Sequence, residues 1–180
     1  GVWDAGSSPA LTVLQDSINK NPAYDKRDTS NTTTGYAISS YPAINHPLTI
    51  NYYDNYNIPN LPAAYDLHTD STYSNRIRGL LTASRTAILK PDGSISSDML
   101  WTVYYYDDKG RNIKTFKQHY LGGVQSVYNY DEVSATYDFM GAPTQTVHNH
   151  YAKNSGNTAA VLGVAVKDSI VYDHAGRALQ

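Results

Sequence analysis

Two histidines, His148 and His150, are the residues whose spacing points most directly to metal chemistry. Side chains two positions apart on a β-strand share a face, so both imidazoles, which are good transition-metal ligands, would lie side by side. The chain has no cysteine, and no third ligand lies near this pair in the sequence. The tripeptide His-Asn-His does not indicate the nuclease of that name, which needs a ββα metal fold. We therefore expect a structural or solvent-facing role for the pair, and we predict no metal and no cofactor.

Other polar residues could also suggest a reactive or ion-binding site. Asp66, His68 and Asp70 alternate, but short polar side chains at this spacing more commonly hydrogen-bond the local loop backbone. The pair Asp107 and Asp108 could suggest calcium, but no EF-hand spacing follows, and a turn explains Asp107. The sequence contains no Gly-x-Ser-x-Gly elbow, no phosphate-binding loop and no dinucleotide-binding glycine pattern. We therefore predict no catalytic residue and no enzymatic activity.

Tyrosine is the dominant aromatic residue, with 17 copies against two of phenylalanine. Exposed aromatic rows on a sheet can stack on sugar rings or on partner proteins. The same rings would also fill the shallow core that a β-repeat protein needs, and we expect this second role. The tyrosines that could form a binding surface are Tyr52, Tyr53, Tyr56, Tyr104 and Tyr105.

The composition excludes several classes of partner. The net charge is −2 and no long run of Lys or Arg occurs, which argues against binding to nucleic acid or to anionic lipid. No apolar stretch approaches the length of a membrane span. The absence of cysteine excludes disulfides. Because the chain begins at Gly1 and shows no signal peptide, we expect it to be a segment of a longer protein.

Residues 1–79 are predicted to form an N-terminal approach segment that precedes the repeats. A short amphipathic helix should begin at Ser8-Pro9, with Ser as N-cap and Pro at the first helical position, and should end at Asn21-Pro22. The polar stretch 28–35 is typical of a loop. A strand is predicted over 48–53 and a second brief helix over 70–79, with Asp at its N-cap and Gly past its end.

Residues 80–180 are predicted to form antiparallel β-hairpins. The segment 80–89 has β character and ends at Lys90-Pro91-Asp92-Gly93, which suits a type I turn because Pro presets φ and Gly can adopt the left-handed conformation. A further strand should run to residues 101–106. Apolar residues then alternate over 133–137 and again over 164–172, where Asp168 interrupts the pattern.

A five-residue pattern, Tyr-Asp-x-x-Gly, occurs three times at intervals of about thirty residues. In each copy the carboxylate could accept hydrogen bonds from backbone N–H groups two or three residues further on, and Gly could take a positive φ. Such a turn is a common hairpin loop, so each copy should form a hairpin tip, with the tyrosine rings aligned as a ladder of apolar contacts. The residues of the copies are Tyr106, Asp107, Gly110 and Arg111; Tyr137, Asp138 and Gly141; and Tyr172, Asp173, Gly176 and Arg177.

This pattern resembles the YD repeat of the RHS family. Residues 172–179, with the sequence YDHAGRAL, are similar to its usual form, with an aliphatic residue after the Arg. The stretch from Arg78 to Gly123 is similar to RHS-type proteins of Bacteroidetes-like bacteria. The middle copy departs from the pattern, because Ala142-Pro143 stands in place of Arg and its successor.

The resemblance implies a mainly β fold in which hairpin repeats form a twisted meander or a partial β-shell, preceded by one or two short helices. Repeats of this family build long strips that coil into a shell or rod, which in polymorphic toxins is thought to enclose an effector and in other members serves at the cell surface. The resemblance therefore implies a structural segment of a secreted or cell-surface protein, whose partner is the remainder of the same polypeptide. The alternative is a binding module that holds a glycan or a protein through exposed tyrosines.

The third hairpin is expected to lack most of its return strand, because the chain ends at Gln180, just after the third turn. Its partner strand over 164–172 would then have an unpaired edge. Because exposed strand edges pair with other chains, we expect the isolated chain to dimerise or to form contacts between sheet edges.

Overall fold

The structure, a computed structural model, describes residues 11–20, 25–37, 46–67 and 72–179. It divides into two compact units, Gly1–Pro47 and Leu48–Gln180. Residues 48–79, which the sequence groups with the N-terminal segment, therefore share a unit with the hairpins. The helix is α1 (Leu11–Lys20), and the strands are β1 (Lys26–Arg27), β2 (Tyr36–Ala37), β3 (Thr49–Tyr53), β4 (Leu81–Leu89), β5 (Ile95–Tyr106), β6 (Asn112–Gln118), β7 (Tyr130–Tyr137), β8 (Pro143–Lys153), β9 (Ala160–Ser169), β10 (Val171–Tyr172) and β11 (Ala178–Leu179).

The first unit contains the predicted helix and a small hairpin. Helix α1 spans the residues expected to be helical, while the expected start at Ser8-Pro9 and stop at Asn21-Pro22 lie outside the described residues. Strands β1 and β2 pair antiparallel. The polar stretch between them forms the predicted loop, which closes where the N–H of Asp28 donates to the carbonyl of Gly35 over 2.9 Å.

The second unit is built on one seven-stranded antiparallel sheet whose strands follow in chain order from β3 to β9. This simple meander confirms the predicted fold class. Short loops join most neighbouring strands, and the turn predicted at Lys90 closes where the N–H of Gly93 donates to its carbonyl over 2.9 Å. A longer loop, residues 119–129, separates β6 from β7. Strands β10 and β11 form a separate two-stranded ladder after β9.

The core lies on one face of this sheet, around strand β5. Met99, Trp101, Val103 and Tyr105 are buried and alternate with more exposed residues, as expected for a strand with one face packed. Aromatic rings from the neighbouring strands extend the same layer. The buried aromatic residues of β3, β6 and β7 are Tyr52, Phe116 and Tyr130.

Residues 55–67 and 72–78 return over this face and cover it with further aromatic side chains. The ring of Tyr65 lies 5.7 Å from Phe116 and 5.2 Å from Tyr130, measured between centroids. The hydroxyl of Tyr105 donates to the carbonyl of Tyr65 over 2.7 Å and accepts from the N–H of Leu67 over 3.1 Å. These hydrogen bonds satisfy polar groups that burial would otherwise leave unpaired.

The helix predicted over 70–79 is wrong for the residues that the structure describes there, 72–79, which form turns and irregular chain. The reason is a tertiary contact. The N–H of Ser74 donates to the carbonyl of Tyr106 over 2.7 Å, and its hydroxyl donates to Asp108 over 2.6 Å. These bonds tie the segment to the end of β5, whereas an α-helix would need its N–H groups for internal bonds.

The opposite end of the sheet is open. Val164 and Val166 alternate along β9 as predicted, but they are 56% and 49% exposed. In the part of the chain that the structure describes, no strand pairs with the outer edge of β9. The burial of the sheet therefore falls from β5 towards β9.

Candidate functional site

The first candidate site is the set of repeated Tyr-Asp-x-x-Gly turns, and the copy at Asp107 shows their geometry. The N–H of Gly110 donates to the carbonyl of Asp107, and the N–H of Asp107 donates to the carbonyl of Arg111, both over 3.0 Å. The Asp107 carboxylate accepts from the N–H groups of Lys109 and Arg111, both at 2.9 Å. Gly110 has a φ of 75°, which a residue with a side chain rarely adopts.

The other two copies repeat this arrangement. The N–H of Ala142 donates to the Asp138 carboxylate over 2.8 Å, and the N–H of Arg177 donates to the Asp173 carboxylate over 2.9 Å. Gly141 and Gly176 have φ values of 93° and 76°. The prediction that each copy forms the tip of a hairpin is therefore confirmed. The middle copy keeps this geometry with Ala142, so the turn itself does not require Arg.

The arginine of the first copy links two successive turns. Its guanidinium bonds the Asp107 carboxylate over 2.6 Å, lies 4.8 Å from the centroid of the Tyr137 ring and donates to the carbonyl of Asp138 over 2.9 Å. Burial tends to raise the pKa of Asp107, but hydrogen bonds from Arg111 and Lys109 outweigh it and hold that pKa below its usual value. Arg177 makes the same pair with Asp173, but its side chain is 79% exposed.

The three motif tyrosines connect each hairpin to the strand before it. The hydroxyl of Tyr137 donates to the carbonyl of Asn112 over 2.7 Å, and Asn112 is the cross-strand partner of Tyr106. The relation recurs one repeat later: the hydroxyl of Tyr172 donates over 2.9 Å to the carbonyl of Pro143, which is the cross-strand partner of Tyr137. Each tyrosine is thus bonded to the residue opposite the preceding motif tyrosine.

The ladder of apolar contacts expected between the motif rings does not form through direct ring–ring contact. Within the described residues, the rings of Tyr106, Tyr137 and Tyr172 make no ring–ring contact with one another. A strand and its hairpin partner separate successive motif tyrosines, so the rings are too far apart to stack. The hydroxyl groups span that distance and make the connection by hydrogen bonding instead.

A related corner lies at Tyr53-Asp54, where the sequence shows no Tyr-Asp-x-x-Gly pattern and Asp54 itself has a φ of 73°. The N–H of Asp54 donates to the carbonyl of Leu80 over 3.2 Å, and the N–H of Gly79, with a φ of 81°, donates to the Asp54 carboxylate over 2.5 Å. The hydroxyl of Tyr106 donates to the carbonyl of Leu81, the cross-strand partner of Tyr53, over 2.7 Å. Residues 55–78 are thus an insertion between the Asp and the Gly of this corner.

The second candidate site is a cluster of three histidines and one carboxylate on β6, β7 and β8. His119 follows β6, Asp131 belongs to β7, and His148 and His150 lie on β8. The nearer oxygen of Asp131 lies 2.7 Å from Nδ1 of His150 and 3.4 Å from Nε2 of His148. The rings of His119 and His150 stack with their centroids 4.7 Å apart, and Nε2 of His119 lies 3.1 Å from the carbonyl oxygen of Tyr151.

The two β8 imidazoles do lie on one face, as the sequence predicts, and the structure adds two partners that sequence spacing could not show. Burial tends to raise the pKa of Asp131, but hydrogen bonds from His150 and His148 outweigh it and hold that pKa below its usual value. The carboxylate is therefore ionised at neutral pH. Antiparallel pairing of Asp131 with His150 is the structural cause of this proximity.

The remaining residues singled out in the sequence have different surroundings. Tyr52, Tyr56 and Tyr105 are buried, whereas Tyr53 is 44% exposed and Tyr104 is half-buried. Three of the five candidate binding tyrosines therefore present no ring to a ligand at the surface. Asp108 accepts the Ser74 hydroxyl, and His68 and Asp70 lie outside the described residues.

Comparison with known proteins adds no relative. No family model matches this chain, and neither the curated proteins nor the solved structures give a match. Among the residues described, no helix is long and apolar enough to cross a membrane.

Proposed function

We propose that this chain is a non-enzymatic structural segment of a secreted or cell-surface protein of the YD-repeat type, forming part of a shell or rod. The observation that carries the proposal is the recurring bond from each motif tyrosine to the strand before it. The Tyr137 hydroxyl reaches Asn112 over 2.7 Å, and the Tyr172 hydroxyl reaches Pro143 over 2.9 Å. A hydrogen bond that joins each hairpin to the one before it allows the sheet to be extended repeat by repeat.

The contact pattern of the sheet supports this proposal. Each strand from β4 to β8 pairs with the strands immediately before and after it in the chain. Proteins built in this way are stabilised mainly by contacts between neighbouring repeats, and they can lengthen without a change of fold. The best-defined polar interactions of the repeats, those of Asp107 and Asp173, are used inside the turns themselves. A structural role accounts for them without a substrate.

The alternative function, binding of a glycan or a protein by exposed tyrosines, has weaker support. The rings of Tyr52, Tyr56 and Tyr105 lie in the aromatic core, where they contact other rings of the same chain. Saturable quenching of tryptophan or tyrosine fluorescence by a glycan, lost on Tyr53→Ala but not on Tyr120→Ala, would favour binding over the scaffold.

The partner we propose for this segment is the remainder of the same polypeptide, joined at the outer edge of β9. That edge has exposed Val164 and Val166 beside it and no paired strand among the described residues. An isolated chain should satisfy the same edge with a second copy. We expect light scattering to show a monomer–dimer equilibrium that depends on concentration. A monomer at all concentrations would contradict this expectation.

The test of the proposed function is the reading frame on both sides of this segment. We expect a secretion signal upstream and many further Tyr-Asp-x-x-Gly units, with an unrelated domain after them if the protein is a toxin that carries an effector. A frame that adds no further units would contradict the scaffold, because too little chain would remain to build a shell. Hydrolytic activity that disappears with a His or Ser substitution would contradict the non-enzymatic assignment.

A further inference from the structure

We propose that His119, Asp131 and His150 bind one divalent transition-metal ion of the zinc class, with His148 as an additional donor beside them. This inference is independent of the scaffold function. It differs from the expectation drawn from the sequence, where His148 and His150 lacked a third ligand. The fold brings that ligand from β7 and a fourth donor from the residue that follows β6.

The geometry of the three donors carries the proposal. His119, Asp131 and His150 each offer one ligand atom, and these atoms all lie within 4.8 Å of one another. Ligand atoms around one Zn²⁺, with bonds of about 2.0–2.2 Å, lie roughly 3.3–3.5 Å apart. The most distant of these atoms must therefore approach by up to about 1.4 Å, whereas the Asp131 oxygen and Nδ1 of His150, 2.7 Å apart, must separate slightly. Rotation about the side-chain torsions supplies both changes. The stacked imidazoles would tilt so that both lone pairs point at the ion.

The position of the donors limits how far they must move. Asp131 and His150 are cross-strand partners, and the N–H of His119 donates to the carbonyl of Asn129 over 3.0 Å just before β7 begins. Two of the three donors thus lie on paired strands, and the third is held by a backbone hydrogen bond at the start of the loop that follows β6. Sites built on strands hold their ligands more accurately than sites built on loops.

A backbone contact also orients one of the imidazoles. Nε2 of His119 lies 3.1 Å from the carbonyl oxygen of Tyr151, so in the tautomer that donates this bond Nδ1 carries the lone pair. A metal would take that lone pair in place of the long hydrogen bond, 3.5 Å, that Nδ1 accepts from the N–H of Leu121. Metal-binding histidines commonly donate their second N–H to a carbonyl or a carboxylate in this way. His119 already makes such a contact, with the carbonyl of Tyr151.

The donor set indicates the class of metal. Two or three imidazole nitrogens with one carboxylate suit Zn²⁺, Co²⁺, Ni²⁺ or Cu²⁺, whereas Ca²⁺ and Mg²⁺ prefer sites made of oxygen ligands. The cluster is half-buried, with the His150 and Asp131 side chains 32% and 27% exposed. An ion can therefore enter from solvent without opening the sheet. His148, 51% exposed, lies at the entrance and can complete the coordination.

The experiment is calorimetric titration of the 180-residue chain with ZnCl₂, together with the visible absorption spectrum of the chain loaded with Co²⁺. We expect one saturable Zn²⁺ site per chain and cobalt bands of nitrogen–oxygen coordination. The variants His150→Gln, His119→Gln and Asp131→Asn should each weaken Zn²⁺ binding at least ~10-fold, because loss of even an outer-shell partner of a metal ligand costs about that much. His148→Gln should weaken binding less.

The matched control is His174→Gln, since His174 is exposed on the third turn, away from the cluster. It should leave Zn²⁺ affinity unchanged. Absence of saturable Zn²⁺ binding to the unmodified chain would overturn the proposal, whatever the variants do. The proposal would also be overturned if the His150, His119 and Asp131 variants, shown by circular dichroism to be folded, bound Zn²⁺ as tightly as the unmodified chain. Loss of binding in the control alone would overturn it as well.

Discussion

The seven-stranded sheet has a covered end, from β3 to β7, and an exposed end at β9, and the two use the same turns but differ in burial. Val103 and Tyr105 on β5 are 0% and 1% exposed, whereas Val164 and Val166 on β9 are 56% and 49% exposed. Both ends have strands with alternating apolar residues and a hairpin closed by Asp and Gly. Alternating apolar residues and Asp–Gly turns therefore do not by themselves produce a buried core in this protein.

The difference comes from the insertion at the first corner. The insertion between Asp54 and Gly79 places Tyr65 against Phe116 and Tyr130. The later turns have no such insertion, and within the described residues nothing covers β9 in the same way. In this protein the motif therefore sets the turn and the register, while a separate covering segment stabilises one part of the sheet.

The largest expected effect is at the centre of the covered end. Tyr105→Ala would remove a buried ring and two hydrogen bonds, and should lower the free energy of unfolding by about 3–5 kcal/mol. Val164→Ala on the exposed strand should change it by less than ~0.5 kcal/mol. Urea denaturation measures both. If Tyr105→Ala does not fold, Tyr105→Phe tests the hydrogen bonds alone, and equal effects at the two ends would break the comparison.

Alkaline pH should also weaken the covered end. Burial raises the pKa of Tyr105 to about 12, and burial with the nearby Tyr151 and Glu132 raises the pKa of Tyr130 to about 12. Because the unfolded value is about 10, the stability that these groups contribute is complete below that pH and is lost as the pH rises towards 12. Ultraviolet absorbance of tyrosinate and near-ultraviolet circular dichroism should therefore change together. Full ionisation near pH ~10 with native dichroism retained would contradict this.

A smaller effect is expected at the turn glycines. Gly110→Ala should cost about 1–2 kcal/mol, because φ is 75° and an added Cβ meets only Leu80 at an ordinary 3.7 Å. Gly176 has a φ of 76°, but its turn joins only β10 and β11, which pair over two residues each. This short hairpin can open without unfolding the rest of the sheet. Gly176→Ala should therefore leave global unfolding in urea nearly unchanged. Partial recovery in Gly110→Asn would confirm that backbone conformation is the cause.

Local pattern was sufficient to predict the strands and the three turns. Asp107, Asp138 and Asp173 each lie three residues before a glycine, and that spacing predicted the turns. The carboxylates accept from the N–H four residues further on, not three as expected, because the glycine N–H donates to the Asp backbone carbonyl instead. Alternation over 133–137 predicted a strand in the same direct way. These features depend on interactions within a few residues, which is why sequence reasoning found them.

The features that sequence reasoning missed depend on distant partners. The corner at Asp54 was hidden because its glycine lies 25 residues later, and the helix expected after Asp70 is absent over 72–79 because Ser74 bonds Tyr106. The carboxylate beside His150 lies 19 residues earlier in the chain. The Tyr53-Asp54 pair, followed much later by Gly79 before a strand, was the one available signal for the first corner.

The bond between the hydroxyl of Tyr137 and the carbonyl of Asn112 joins two successive hairpins, so its removal tests whether motif tyrosines hold the repeats together. Tyr137→Phe removes this bond and keeps the ring, so it should lower the free energy of unfolding by about 1 kcal/mol. Tyr120→Phe is the control, since Tyr120 is 44% exposed. Urea denaturation of the two variants should show a loss for Tyr137→Phe and none for Tyr120→Phe, and equal stabilities would contradict the claim that motif tyrosines join the hairpins.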